Sequence, residues 1–144
     1  MKSSKRQTPF TLNLPPNDRF VIAFSGGIDS LALISFMSEE ERNRSAAVYV
    51  DHSIRKREEL DEEIKLNRKN ARKLGVPLYI IRLGEGEVER YALEKDCGIE
   101  AAARNLRYSA LERFREEKGY NWILTAHHLN DQTETLIMRM MSSS

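Results

Sequence analysis

The chain has 144 residues, within the range of one domain, and its hydrophobic share of 40% and charged share of 31% are ordinary for a globular protein. No apolar run approaches the roughly 20 residues that cross a bilayer, and Lys2, Lys5 and Arg6 have no apolar stretch behind them to form a signal peptide, so a membrane protein is excluded and a cytoplasmic location is expected. The net charge of +1 does not point to a dedicated nucleic-acid binder, and Cys97, the single cysteine, excludes an internal disulfide, a redox pair and a cysteine-rich metal site.

Phe20-Val21-Ile22-Ala23-Phe24 is an apolar run ending at Ser25-Gly26-Gly27, and a helix-compatible stretch from Asp29 to Glu41 follows at once, which reads as strand, tight turn, helix. Ala46 to Val50 is apolar without alternation, as in a strand covered on both faces of a parallel sheet, and it stops at Asp51-His52. From Glu58 to Leu74 the residues Leu60, Ile64, Ala71 and Leu74 recur at helical spacing, with Asn67 interrupting and Gly75 as the closing cap. Basic residues from Arg55 to Lys73 are interleaved with acids, the pattern of a solvated helix face laced with ion pairs. Leu78 to Ile81 supplies a third strand after Pro77, left through a loop marked by Gly84 and Gly86. Glu100 to Lys118 is a long amphipathic helix with Ala103, Leu106, Ala110 and Phe114 on one face, ended by Gly119. Trp122 to Ala126 is a fourth strand, and Thr133, Leu136, Ile137 and Met140 predict a final helix from Asn130 to Met141. The alternation implies an α/β fold, an open parallel sheet with helices on both faces. Residues 1–17 read as a flexible N-terminal segment and 18–144 as a single domain.

Ligands of open α/β sheets gather at the carboxyl ends of the strands, near the point where strand order reverses. Ser25-Gly26-Gly27-Ile28-Asp29-Ser30 joins the first strand to its helix there. Its glycines let backbone N–H groups converge on an anion, and the helix amino terminus adds positive potential. Phosphate suits such a turn, with Ser25 and Ser30 as hydroxyl donors and Asp29 able to hold magnesium; a plain turn with Asp29 as helix cap fits equally well. The turn has neither the Gly-Lys-Ser/Thr of a P-loop nor a Gly-x-Gly-x-x-Gly dinucleotide signature. Asp51 and His52 alone read as a polar strand end. Arg104 and Arg107, three apart on a helix, project from one side and suit a shared anion, with surface pairing to Glu100 and Glu112 as the ordinary alternative. Asp131 and Glu134 suit magnesium or a cationic substrate, and His127 or His128 can donate to a phosphate or shuttle a proton.

The hexapeptide resembles the pyrophosphate loop of the N-type ATP pyrophosphatases, the PP-loop superfamily. Asp51-His52-Ser53-Ile54-Arg55 is similar to the Asp-His-Gly-Leu-Arg of the tRNA(Ile)-lysidine synthetases within it, with Ser53 and Ile54 as departures. Glu100 to Tyr108 fits that family's Glu-Ala-Ala-Ala-Arg-x-x-Arg-Tyr, and His127 to Thr135 fits His-His-x-x-Asp-Gln-x-Glu-Thr, although many members carry an acid where Asn130 stands. The resemblance implies a Rossmann-like fold of the adenine nucleotide alpha hydrolase type that uses ATP with Mg2+. It implies Ser25, Gly26, Gly27, Ile28, Asp29, Ser30, Asp51 and His52 around the nucleotide, with Asp29 on the metal. Arg104 and Arg107 would offset phosphate charge, His127 would join the catalytic set, and Asp131 with Glu134 would orient L-lysine. The implied reaction adenylates a cytidine in the anticodon loop of tRNA(Ile), releases pyrophosphate, and lets the lysine ε-amine displace AMP to leave lysidine. A tRNA base thiolase of the same superfamily would use cysteine pairs or iron–sulfur ligands, which Cys97 alone does not supply. From another class, a nucleotide-binding module without catalysis remains. Lysidine synthetases continue past the last motif, so the chain is expected to be a truncated product or to be completed by another chain. Apolar surface left uncovered would then favour a homo-oligomer.

Overall fold

β1 (Phe20–Ala23) is apolar throughout, with Phe20, Val21 and Ile22 fully buried, and such a strand needs neighbours on both edges and cover on both faces. The rest of the chain supplies them: α1 (Ile28–Phe36), α2 (Glu39–Asn43), β2 (Ser45–Asp51), α3 (Arg57–Leu74), β3 (Leu78–Arg82), α4 (Glu87–Lys95), α5 (Ile99–Lys118), β4 (Trp122–His128) and β5 (Leu136–Met141). The computed structural model describes residues 14–24, 28–51, 57–128 and 136–141, with the backbone alone at 28, 29, 57, 60, 126–128 and 136–141. The sheet order is β3-β2-β1-β4-β5, parallel from β3 to β4 and antiparallel between β4 and β5. The α/β architecture expected from the alternation is therefore present. No described helix is long and apolar enough to cross a membrane.

The pleat sends successive side chains to opposite faces, and each face has its own core. Phe20 and Ile22, with Phe24 just beyond the strand, join Leu33 and Ile34 of α1, Ala47 of β2 and Leu124 of β4; Leu74 at the end of α3 packs against this cluster. Val21 turns the other way and joins Val48, Val50 and Ile123 against Ala110, Leu111 and Phe114 of α5. Each large side chain fully buried in this way is worth about 1.5–3 kcal/mol, so the two cores fix which helices lie on which face. Leu14, within the stretch expected to be flexible, is 9% exposed and belongs to the first core. Trp122 Nε1 donates to Asp18 at 2.7 Å and ties the approach to β1 onto β4.

The expected helix from Asp29 to Glu41 is two helices. Ser38 ends the first and caps the second: Glu41 N–H donates to Ser38 Oγ at 3.1 Å, and Ser38 N–H donates to Glu41 Oε1 at 2.9 Å, a capping box. α4 stands where the sequence suggests only a loop. It is mostly charged, and only Val88 and Ala92 are buried, packed with Ala102 and Ala103 of α5. Gly75 and Gly119, expected as helix ends, both take the left-handed conformation, at φ 77° and 76°, that a side chain would resist. Asn67 is the inward break in the α3 pattern; it is 1% exposed, and its Nδ2 has no hydrogen-bond partner among the described residues.

The final helix, expected from Asn130 to Met141, is a correction. Leu136 to Met141 is the strand β5, in register from Ile123↔Met141 to His128↔Leu136. A six-residue run, apolar except for Arg139, satisfies helical and extended periods alike, and here it lies along the flank of β4, whose N–H and C=O groups would otherwise be an open edge. Asn130 to Thr135 lie outside the described residues.

Candidate active site

From β1 the chain steps to β2 and then β3 on one side, and afterwards crosses to β4 on the other, so strand order reverses between β1 and β4. Their carboxyl ends flank the crevice where an open α/β sheet takes its ligand. Ser25, Gly26, Gly27, His52, Asp131 and Glu134 lie outside the described residues. Ile28 and Asp29 are the first backbone positions of α1, and His127 and His128 the last of β4.

Ser30, in the first turn of α1, is 2% exposed and donates its hydroxyl to the Ala23 carbonyl at 3.2 Å. That bond joins the first turn of α1 to the last residue of β1. On the neighbouring strand, Asp51 closes β2 and is fully buried, and Arg82 Nη1 reaches to 4.0 Å from Asp51 Oδ2. Thr125 is buried on β4, three residues before that strand ends.

α5 descends from the carboxyl-end side of the sheet to the start of β4, so its amino half lies level with the site. Leu83, one residue past β3, packs against two clusters, one shared with Leu106 and the other with Tyr108. Arg104 and Arg107 are on this part of α5. Among the described residues neither has a carboxylate partner: Glu112, offered as an ordinary partner, is taken by Arg115, at 2.6 Å and 3.0 Å. The Arg107 guanidinium lies 5.8 Å from the Tyr108 ring centre, a weak contact that leaves its hydrogens free to meet an anion. The Glu112 hydrogen bond also raises the pKa of Arg115 above its ordinary range, which keeps that residue charged and committed at the far end of the helix.

The sequence profile of the PP-loop domain matches residues 2–144. The chain belongs to the PP-loop family. Among curated PP-loop relatives, a tRNA(Ile)-lysidine synthase of Thermus thermophilus is 38% identical over 133 residues, covering 92% of this chain and 25% of that protein. The tRNA(Ile)-lysidine synthase of Thermosipho africanus is 38% identical over 127 residues, covering 86% and 29%. The chain thus spans about a quarter of the length of the relatives it matches. Of solved structures, an NH3-dependent NAD synthetase from Campylobacter jejuni aligns with a TM-score of 0.56 at 16% identity, over 73% of this chain and 45% of that one. An NMN synthetase from Francisella tularensis aligns at 0.52 and 20%, over 75% and 44%. At these identities the likeness concerns the fold, and it agrees with the parallel PP-loop sheet.

Nothing in the local sequence singles out Arg82. The signal is available only by pairing strand ends: Asp51 ends β2, Arg82 ends β3, and the two are register partners.

Proposed function

We propose that this PP-loop chain binds ATP and carries the adenylating step of lysidine formation on tRNA(Ile), in the cytoplasm, with L-lysine as the second substrate. The observation that carries the reading is the reversal of strand order between β1 and β4, whose carboxyl ends lead into the Ser25–Ser30 and His127–Thr135 motifs. The uncommitted pair Arg104 and Arg107 supports it, as does 38% identity to lysidine synthases over about nine-tenths of the chain.

On this reading the amides of Gly26 and Gly27, with Ser25 and Ser30, hold the leaving pyrophosphate, while Ile28, Asp51 and His52 border the nucleotide. Ser30 would turn its hydroxyl from Ala23 to a phosphate oxygen, a one-rotor change. The cytidine C2 oxygen attacks the α-phosphorus; Arg104 and Arg107 offset the charge that develops, and His127 donates to a phosphate oxygen. Asp131 and Glu134 then hold the lysine amines so that the ε-amine can displace AMP. Asp29 would hold a magnesium ion that arrives on ATP, since magnesium is usually bound through one or two carboxylates together with substrate phosphates. When bound, that ion neutralises phosphate charge.

The test is to incubate the chain with ATP, magnesium, lysine and tRNA(Ile). AMP release that requires both lysine and tRNA is expected, and Asp29→Ala should abolish it while leaving the circular-dichroism spectrum unchanged. A fully active variant removes the role of Asp29, and ATP binding without turnover marks a nucleotide-binding module.

A further inference from the structure

The acids that mingle with bases along α3 stop at Glu63, and the next acid in the chain is Glu85. Between them α3 carries Lys65, Arg68, Lys69, Arg72 and Lys73, all exposed. At about 100° per residue these five fall within an arc of about 140°, turned away from the buried Ile64, Asn67 and Ala71. The ion-paired face expected from the sequence does not extend to them: among the described residues none of the five meets a carboxylate. The helix dipole favours cations in the last turn, Arg72 and Lys73, and fades before it reaches Lys65, Arg68 and Lys69. Lys65 and Lys69, Lys69 and Lys73, and Arg68 and Arg72 stand four apart, a spacing at which like charges destabilise a helix. A polyanion laid along this face removes that repulsion.

Beside the face lies an open hollow of about 320 Å3. Arg68 and Arg72 form one wall, while Ala71, Val76, Pro77 and Leu78 supply apolar surface. The hollow sits low on the sheet: the Pro77 carbonyl accepts from Ala47 N–H at 2.8 Å, near the start of β2, whereas the crevice lies at the carboxyl ends of the strands. We propose that the second half of α3, with this hollow, is a docking surface for the backbone of the RNA substrate, separate from the place where the chemistry occurs. The proposal rests on the tRNA reading above. A planar guanidinium meets a phosphate through two parallel hydrogen bonds, and the apolar floor suits the face of a sugar. From Lys65 to Lys73 the helix rises about 12 Å, a length over which a nucleic-acid strand presents several phosphates. Contacts of this kind add affinity and orientation without reading sequence, which is what a surface remote from the reacting base can supply.

The test is binding of tRNA(Ile) to the whole chain, followed by fluorescence anisotropy at several salt concentrations, with polyglutamate as a second polyanion. Arg68→Gln combined with Arg72→Gln is expected to weaken tRNA at least about tenfold at low salt and to lower the slope of log affinity against log salt by about two, one for each lost phosphate contact. Arg68→Lys combined with Arg72→Lys should keep most of the slope, since the charge remains. Lys95→Gln combined with Arg113→Gln makes the same change of net charge at exposed positions of α4 and α5, across the sheet from α3, and should leave tRNA binding near the wild-type level. An equal loss in the α4 and α5 variant, a lysine variant as weak as the glutamine one, failure of the glutamine variant to fold, or wild-type binding of polyglutamate as tight as that of tRNA would each overturn the proposal. A wild-type chain that binds no tRNA removes the tRNA reading and this surface together; a wild-type chain that binds tRNA beside an unaffected glutamine variant removes the surface alone.

Discussion

Arg104 and Arg107 are two cations on a helix rich in glutamate that nonetheless have no carboxylate beside them among the described residues, whereas Arg115 on the same helix is fully engaged with Glu112 and the Tyr120 carbonyl. The contrast separates a structural arginine from two that, on the proposed reading, would meet the charge of the substrate. Replacing both Arg104 and Arg107 with Ala is expected to lower tRNA-dependent AMP formation by at least about a hundredfold, the effect of removing donors from a developing charge. Stability should change by less than about 0.5 kcal/mol, as for surface substitutions without partners. Initial rates and urea denaturation measure the two quantities, and a large stability loss would return the pair to a structural role. At this scale the sequence is readable where residues share a helix face and unreadable where contact depends on strand register, which is why it displays the arginine pair and conceals Arg82.

Among the elements, the four parallel strands are legible because each is an apolar run bounded by Gly, Pro or a polar tip, and α3 and α5 because their apolar spacing extends over several turns. Three elements are not. The break between α1 and α2 hides in a run that is helix-compatible throughout, although Ser38-Glu39-Glu40-Glu41 spells a capping box; Ser38→Ala is expected to cost about 1 kcal/mol in chemical denaturation. α4 buries too few residues to display a period. β5 presents a helical period and folds as a strand, because a short apolar run carries no internal evidence of which state its neighbours will select. Local pattern decides an element only when it is long enough to outvote context.

For the molecule as a whole, the site is a product of topology. Only the placement of β4 beside β1 brings the carboxyl ends of these two strands together, and register partners such as Ile22 and Leu124 are about a hundred residues apart in the chain. Ligand that bridges both should stabilise the entire fold. Magnesium-ATP at about a hundred times its Kd is expected to add about 2.7 kcal/mol and to raise the thermal midpoint by about 5–10 °C. Scanning calorimetry with and without nucleotide reads this directly, and an unmoved midpoint would tell against nucleotide binding.

The same strand order governs how the protein comes into being. β1 can zip onto β2 as soon as residue 51 has been made, but its other flank must wait for Trp122 to Leu124, its partners in β4. During synthesis the central strand therefore carries one bare edge for most of the chain's length, a condition that slows folding and invites capture by a chaperone or by a stray strand. The cleft has no partial form: until the last parallel strand docks, half of its wall has yet to be translated.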